Sequence, residues 1–71
     1  MLFIKLTEKF HNDTVAISYI DPTEICYMRR IDDETTIVYF KGRDTYISVK
    51  ESPDEILDKV ERLSSDTVKV N

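Results

Sequence analysis

The hydrophobic period of this chain changes once, at Ser52. Before that point apolar residues alternate with polar ones in short runs, the period of a pleated strand. After it Ile56, Leu57, Val60 and Leu63 recur at helical spacing. Short strands joined by tight turns pair as antiparallel hairpins, and a single trailing helix can bury its stripe only against one face of their sheet. The sequence therefore predicts an α+β fold. It has about five mostly antiparallel strands in hairpins, with one C-terminal helix packed on one sheet face.

The strand runs are Leu2–Leu6, Val15–Ile20, Ile25–Ile31, Thr35–Phe40 and Thr45–Val49. Thr35–Phe40 is the strongest, being rich in β-branched and aromatic types. Turn chemistry separates the runs: Asn12-Asp13, then Asp21-Pro22-Thr23-Glu24, then the acidic Asp32-Asp33-Glu34, then Lys41-Gly42-Arg43-Asp44. Gly42 is the only glycine and sits where a hairpin turn needs a positive φ. The helix start has several agreeing signals. Ser52 and Glu55 have the spacing of a capping box. Pro53 falls at the first helical position, and Asp54 and Glu55 meet the positive end of the helix dipole. Ser64-Ser65-Asp66 is expected to end the helix, and Thr67–Val70 to be a tail or short edge strand. The chain reads as one small domain over residues 1–71, with 64–71 as that tail.

Size and composition exclude much. A chain of 71 residues hides only roughly 60% of the surface its unfolded form exposes, too little to wall in a large substrate pocket. One cysteine, Cys26, excludes an internal disulfide frame and a cysteine-built zinc site. His11 is the only imidazole and sits in a turn, a poor place for the base of a triad, and no ligand pair sits at a recurring spacing. No catalytic residue, metal or cofactor is expected, and Cys26 is expected to be a buried or half-buried strand residue. The apolar start, Met1 to Ile4, is too short for a signal peptide, and no window approaches the ~20 residues of a membrane span. The expected setting is cytoplasmic, away from membranes.

The segment Phe3–Val60 resembles the FlbD type of small flagellar and swarming-motility proteins. The matching pieces are Ile4-Lys5-Leu6-Thr7, Asp33 to Tyr39, and Val49-Lys50-Glu51-Ser52-Pro53-Asp54-Glu55-Ile56. Similar endings occur in short bacterial and phage proteins outside any flagellar context. The family tends to carry Asn-Gly pairs in both hairpin turns, where this chain has His11-Asn12-Asp13 and Lys41-Gly42-Arg43. The resemblance implies no catalytic residues.

Binding is the class left. The net charge of −4 disfavours nucleic acid, whose affinity comes from Lys and Arg on phosphates. The alternative is a small regulator that binds nucleic acid through the Arg29/Arg30 strand, where Lys41, Arg43 and the two tyrosines Tyr27 and Tyr39 supply charge and stacking surface. The aromatic surplus argues for another use. Thr35–Phe40 and Ile25–Ile31 are apolar on both faces, and one helix covers only one. The other face then calls for a protein partner or a second copy, so a dimer is expected. Tyrosine tolerates a wet rim better than phenylalanine. Tyr27 and Tyr39 are therefore expected on the contact face, with Arg29 and Arg30 beside them.

Overall fold

The computed structural model of the chain describes residues 2–68. Five strands form one antiparallel sheet: β1 (Ile4–Lys9), β2 (Val15–Ile20), β3 (Ile25–Asp32), β4 (Thr35–Phe40) and β5 (Tyr46–Val49). The helix α1 (Pro53–Val68) follows. The sheet order is β2-β1-β5-β4-β3, so the strands run in sequence order around a ring that is open between β2 and β3. No helix among the described residues is long and apolar enough to cross a membrane.

That opening is joined by one 3-10 turn, Pro22–Glu24, and the shortness of this link bends the sheet. In a flat sheet β2 would end, and β3 begin, four strand spacings apart, about 19 Å, and at opposite ends of strands roughly 20 Å long. Five residue steps reach at most ~18 Å. The sheet must therefore coil, bringing Tyr19 and Ile20 against Phe40, Arg43 and Ile47 around a groove of about 340 Å³. The concave side of the coil is the core.

Register decides which residues turn inward. Ile4 and Leu6 of β1, Val38 of β4 and Val49 of β5 are buried together with Ile56 of α1. Ile20, Ile25, Met28, Phe40, Ile47, Val60 and Leu63 pack around them. The pairs Met28↔Val38 and Thr36↔Val49 place this set on one face, and Tyr27↔Tyr39 and Tyr39↔Tyr46 place the tyrosines on the other.

Local chemistry explains each turn. The β1–β2 hairpin closes with Phe10 N–H donating to the Thr14 carbonyl at 2.9 Å and Asp13 N–H to the Phe10 carbonyl at 3.1 Å. Asp13 sits at φ 67° and Gly42 at φ 66°; an aspartate tolerates this left-handed region better than most side chains. Asp21 caps the 3-10 turn, accepting from Thr23 N–H at 3.0 Å and the Thr23 hydroxyl at 2.7 Å. Asp32 accepts from Glu34 N–H at 2.8 Å in the β3–β4 turn. The capping box forms as read: Ser52 N–H donates to Glu55 Oε1 and Glu55 N–H to Ser52 Oγ, both at 3.1 Å.

Several expectations need correction. β1 is Ile4–Lys9 rather than Leu2–Leu6, and β5 starts at Tyr46. The helix runs through Ser64-Ser65-Asp66 to Val68, because that stretch holds no glycine or proline to stop it. Of the expected tail or edge strand, residues 67 and 68 are helical and 69–71 lie outside the described residues. Cys26 is exposed, since an irregularity between Ile25 and Tyr27 makes it the unpaired residue of a bulge. The same bulge puts Ile25 inward and Tyr27 outward, which simple alternation does not allow. Leu57 is 49% exposed; among the described side chains of α1, Ile56 is buried and Val60 and Leu63 are half-buried against the core.

Two outcomes follow for stability. In denaturant melts Ile56→Ala should lose on the order of 2–5 kcal/mol, Ser52→Ala about 1 kcal/mol, and Leu57→Ala less than about 1 kcal/mol. An equal loss at Leu57 and Ile56 would contradict the packing. The second outcome concerns acid. The hydrogen bond from the Thr23 hydroxyl, then that from its N–H, holds the Asp21 carboxyl below its ordinary 3.8. The Glu34 N–H does the same for Asp32. A carboxyl lowered in the folded state stabilises it above the unfolded value, and that contribution disappears as pH falls through the folded value. Thermal midpoints should therefore fall below about pH 3.8, and less steeply in the Asp21→Asn/Asp32→Asn variant. Equal slopes for the two proteins would contradict the capping roles.

Candidate functional site

The convex face of the sheet carries a ladder of three tyrosines. Strand pairing sets Tyr27 of β3 opposite Tyr39 of β4, and Tyr39 opposite Tyr46 of β5. The Tyr27 and Tyr39 rings stack, centroids 4.3 Å apart and 12° from parallel. Tyr46 lies 5.6 Å from Tyr39, tilted 49°. The Arg29 guanidinium stands 5.9 Å from the Tyr27 ring centre. Cross-strand aromatic pairs of this kind add about 0.5–1.5 kcal/mol beyond the area they bury. Tyr39 is half-buried between its neighbours, while Tyr27 and Tyr46 are exposed.

A shallow groove of about 410 Å³ borders the ladder at Tyr46. Phe10 and His11 of the β1–β2 turn line it together with Tyr46 and Ser48 of β5. Lys9 lies on its floor, and its ammonium donates to the Thr35 hydroxyl at 2.6 Å and the Glu34 carbonyl at 3.2 Å. The lysine charge thereby pins β1 to the start of β4.

Of the residues singled out from sequence, Tyr27, Tyr39 and Arg29 come together on this face. Arg30 does not join them. Its pairing with Thr36 turns it to the concave side, where Nη1 donates to Thr36 Oγ1 at 3.0 Å and Nη2 to the Asp33 carbonyl. Adjacent strand residues point to opposite faces, so Arg29 and Arg30 cannot form one basic patch. Lys41 and Arg43 sit in the β4–β5 turn, and Arg43 lines the concave groove with Asp21 and Glu24. Among the described residues no group of three or more His, Cys, Asp or Glu is arranged to hold a metal.

Tyr46 is the ladder residue that sequence reasoning did not select. The signal for it is present: a hairpin closing over Lys41–Asp44 sets Phe40 against Thr45, and hence Tyr39 against Tyr46. A second convex strip, Val15, Ile17 and Tyr19 of β2, is also exposed and is set apart from the ladder by Lys5, Thr7 and Lys9 of β1. No family model, curated protein or solved structure matches this chain.

Proposed function

We propose that this chain is a small non-catalytic, cytoplasmic protein-interaction module. It presents the Tyr27–Tyr39–Tyr46 ladder to a protein partner and works as a homo-oligomer. The observation that carries this reading is the ladder itself, with rings stacked at 4.3 Å on the sheet face that the helix leaves open. Tyrosine and arginine are the residues enriched at the energetic centres of protein contacts. Stacking of Tyr27 on Tyr39 pre-arranges the rings and so reduces the freedom lost on docking. The two carboxyls held below their ordinary values both serve turns, which accounts for their shifts without a catalytic role. The residues that resemble the FlbD type also have structural duties: Ser52 and Glu55 cap α1, and Ile56 is buried. That resemblance supports the helix start and leaves the ladder to be explained separately.

One observation favours a second reading, a single-strand nucleic-acid platform: Arg29 beside a stacked aromatic pair is a surface on which bases can stack. The net charge of −4 and the separation of Arg29 from Arg30 rank it second.

Both readings are tested with immobilised protein. The wild type should retain a protein from extracts of its native cells that the folded Tyr27→Ala/Tyr39→Ala variant releases. A labelled single-stranded oligonucleotide should bind no tighter than the roughly 10⁻⁴–10⁻⁶ M of non-specific contact at physiological salt. Nanomolar oligonucleotide binding lost in Arg29→Glu would promote the second reading. Equal protein retention by both forms would remove the ladder from the proposal.

A further inference from the structure

We infer that β2 pairs edge to edge, antiparallel, with β2 of a second copy of this chain, about a two-fold axis at Ile17. The inference deepens the homo-oligomer in the reading above by giving it a place, and that place is separate from the ladder.

The hairpin fixes which backbone groups β2 leaves open. Phe10 N–H bonds to Thr14, and ladder bonding alternates along an antiparallel pair. Ala16, Ser18 and Ile20 therefore bond inward to Glu8, Leu6 and Ile4 of β1. The N–H and C=O groups of Val15, Ile17 and Tyr19 point outward. β1 shows the same phase from its other side, since Lys50 N–H donates to the Thr7 carbonyl at 3.0 Å. β2 ends the sheet, and no other hydrogen bond identified among the described residues takes those outward groups.

The two free edges of the sheet differ. β3 carries two register irregularities and the charges of Arg29, Arg30 and Asp32, devices that blunt an edge against pairing. β2 has none of them: its pairing with β1 is regular over six rungs, and Val-Ala-Ile-Ser-Tyr-Ile holds no charge and no proline. It is also bare on its convex side, and at Ala16 on the concave side, while Ser18 and Ile20 are half-buried there. Val15, Ile17 and Tyr19 are 50%, 57% and 65% exposed on the convex face, and Ala16 on the concave face is exposed as well.

The occupant follows from self-complementarity. A two-fold contact sets the same patch against itself. An axis at Ile17 pairs Ile17 with Ile17 of the second copy, and Val15 with its Tyr19, so every outward residue finds an outward partner. Sliding by two residues leaves one of the three unpaired. The small residue then meets the large one, and all six side chains stand on one continuous convex face. A strand pair of this length is below the roughly 1,200 Å² of a standard stable interface, so the association belongs in the micromolar range.

Sedimentation equilibrium across micromolar concentrations tests this, with thermal melts confirming that each variant is folded. The wild type should be a dimer at the upper end. Ile17→Lys puts a charge on the edge and should weaken association by more than about tenfold. Ile17→Pro removes only an outward N–H, a position where an edge strand accepts proline, and should do the same. Tyr27→Ala/Tyr39→Ala should remain dimeric. A monomeric wild type, or a dimer unaffected by a folded Ile17→Lys variant, would overturn the inference. Equal partner retention by the wild type and the folded Tyr27→Ala/Tyr39→Ala variant, with both still dimeric, would defeat the ladder reading alone.

Discussion

The structure depends on a narrow seam between β1 and β5. Two paired rungs, Glu8↔Val49 and Lys9↔Ser48, and one further bond from Lys50 N–H to the Thr7 carbonyl join the β1–β2 hairpin to the β3–β4–β5 meander. Past Lys50 the chain leaves the sheet for the helix, and the Thr7 N–H would lose its ladder acceptor. Glu51 takes that place: its carboxylate accepts from Thr7 N–H at 2.9 and 3.0 Å and from the Thr7 hydroxyl at 2.9 Å. A charged acceptor makes a stronger bond than a neutral carbonyl. An isolated hairpin has marginal stability in water. The hairpin therefore holds its shape only through this seam and the core that closes behind it.

The seam also fixes the two faces. Glu51 is followed at once by the Ser52–Glu55 capping box, so one short segment ends β5, clamps β1 and starts α1. The helix is thereby laid on the concave side, where Ile56 meets Leu6, Val38 and Val49. With so few fully buried side chains, the fold has little stability to lose, as expected for a chain of this size. The convex side keeps its tyrosines and its bare β2 edge because the helix was committed elsewhere.

Much of this was legible in the sequence where the cause is local. The capping box, the glycine turn and the alternation of Thr35–Phe40 each depend on neighbours a few residues apart. Alternation leaves open which face the helix covers; the expectation that Tyr27 and Tyr39 lie on the uncovered one rests on the tyrosine hydroxyl, which tolerates water. What was not legible depends on distant residues. Glu51 reads as a solvated acid, and its partner Thr7 lies far away in sequence. The bulge at Cys26 shifts the phase of β3 without any glycine to announce it. Leu57 fits a helical stripe, but how wide a stripe α1 buries is set by the curvature of the sheet. That curvature comes from the short Pro22–Glu24 link acting on a strand order that composition does not reveal.

The central claim is that the seam makes the hairpin and the meander one cooperative unit. Native-state hydrogen exchange measures this directly. The Leu6 amide reports on the β1–β2 ladder and the Val38 amide on β4–β5. The account predicts that both exchange with the same opening free energy in the wild type. It also predicts that Glu51→Ala lowers the value for Leu6 more than for Val38. A wild-type Leu6 amide that opens well below Val38, or a Glu51→Ala variant that changes neither, would contradict it.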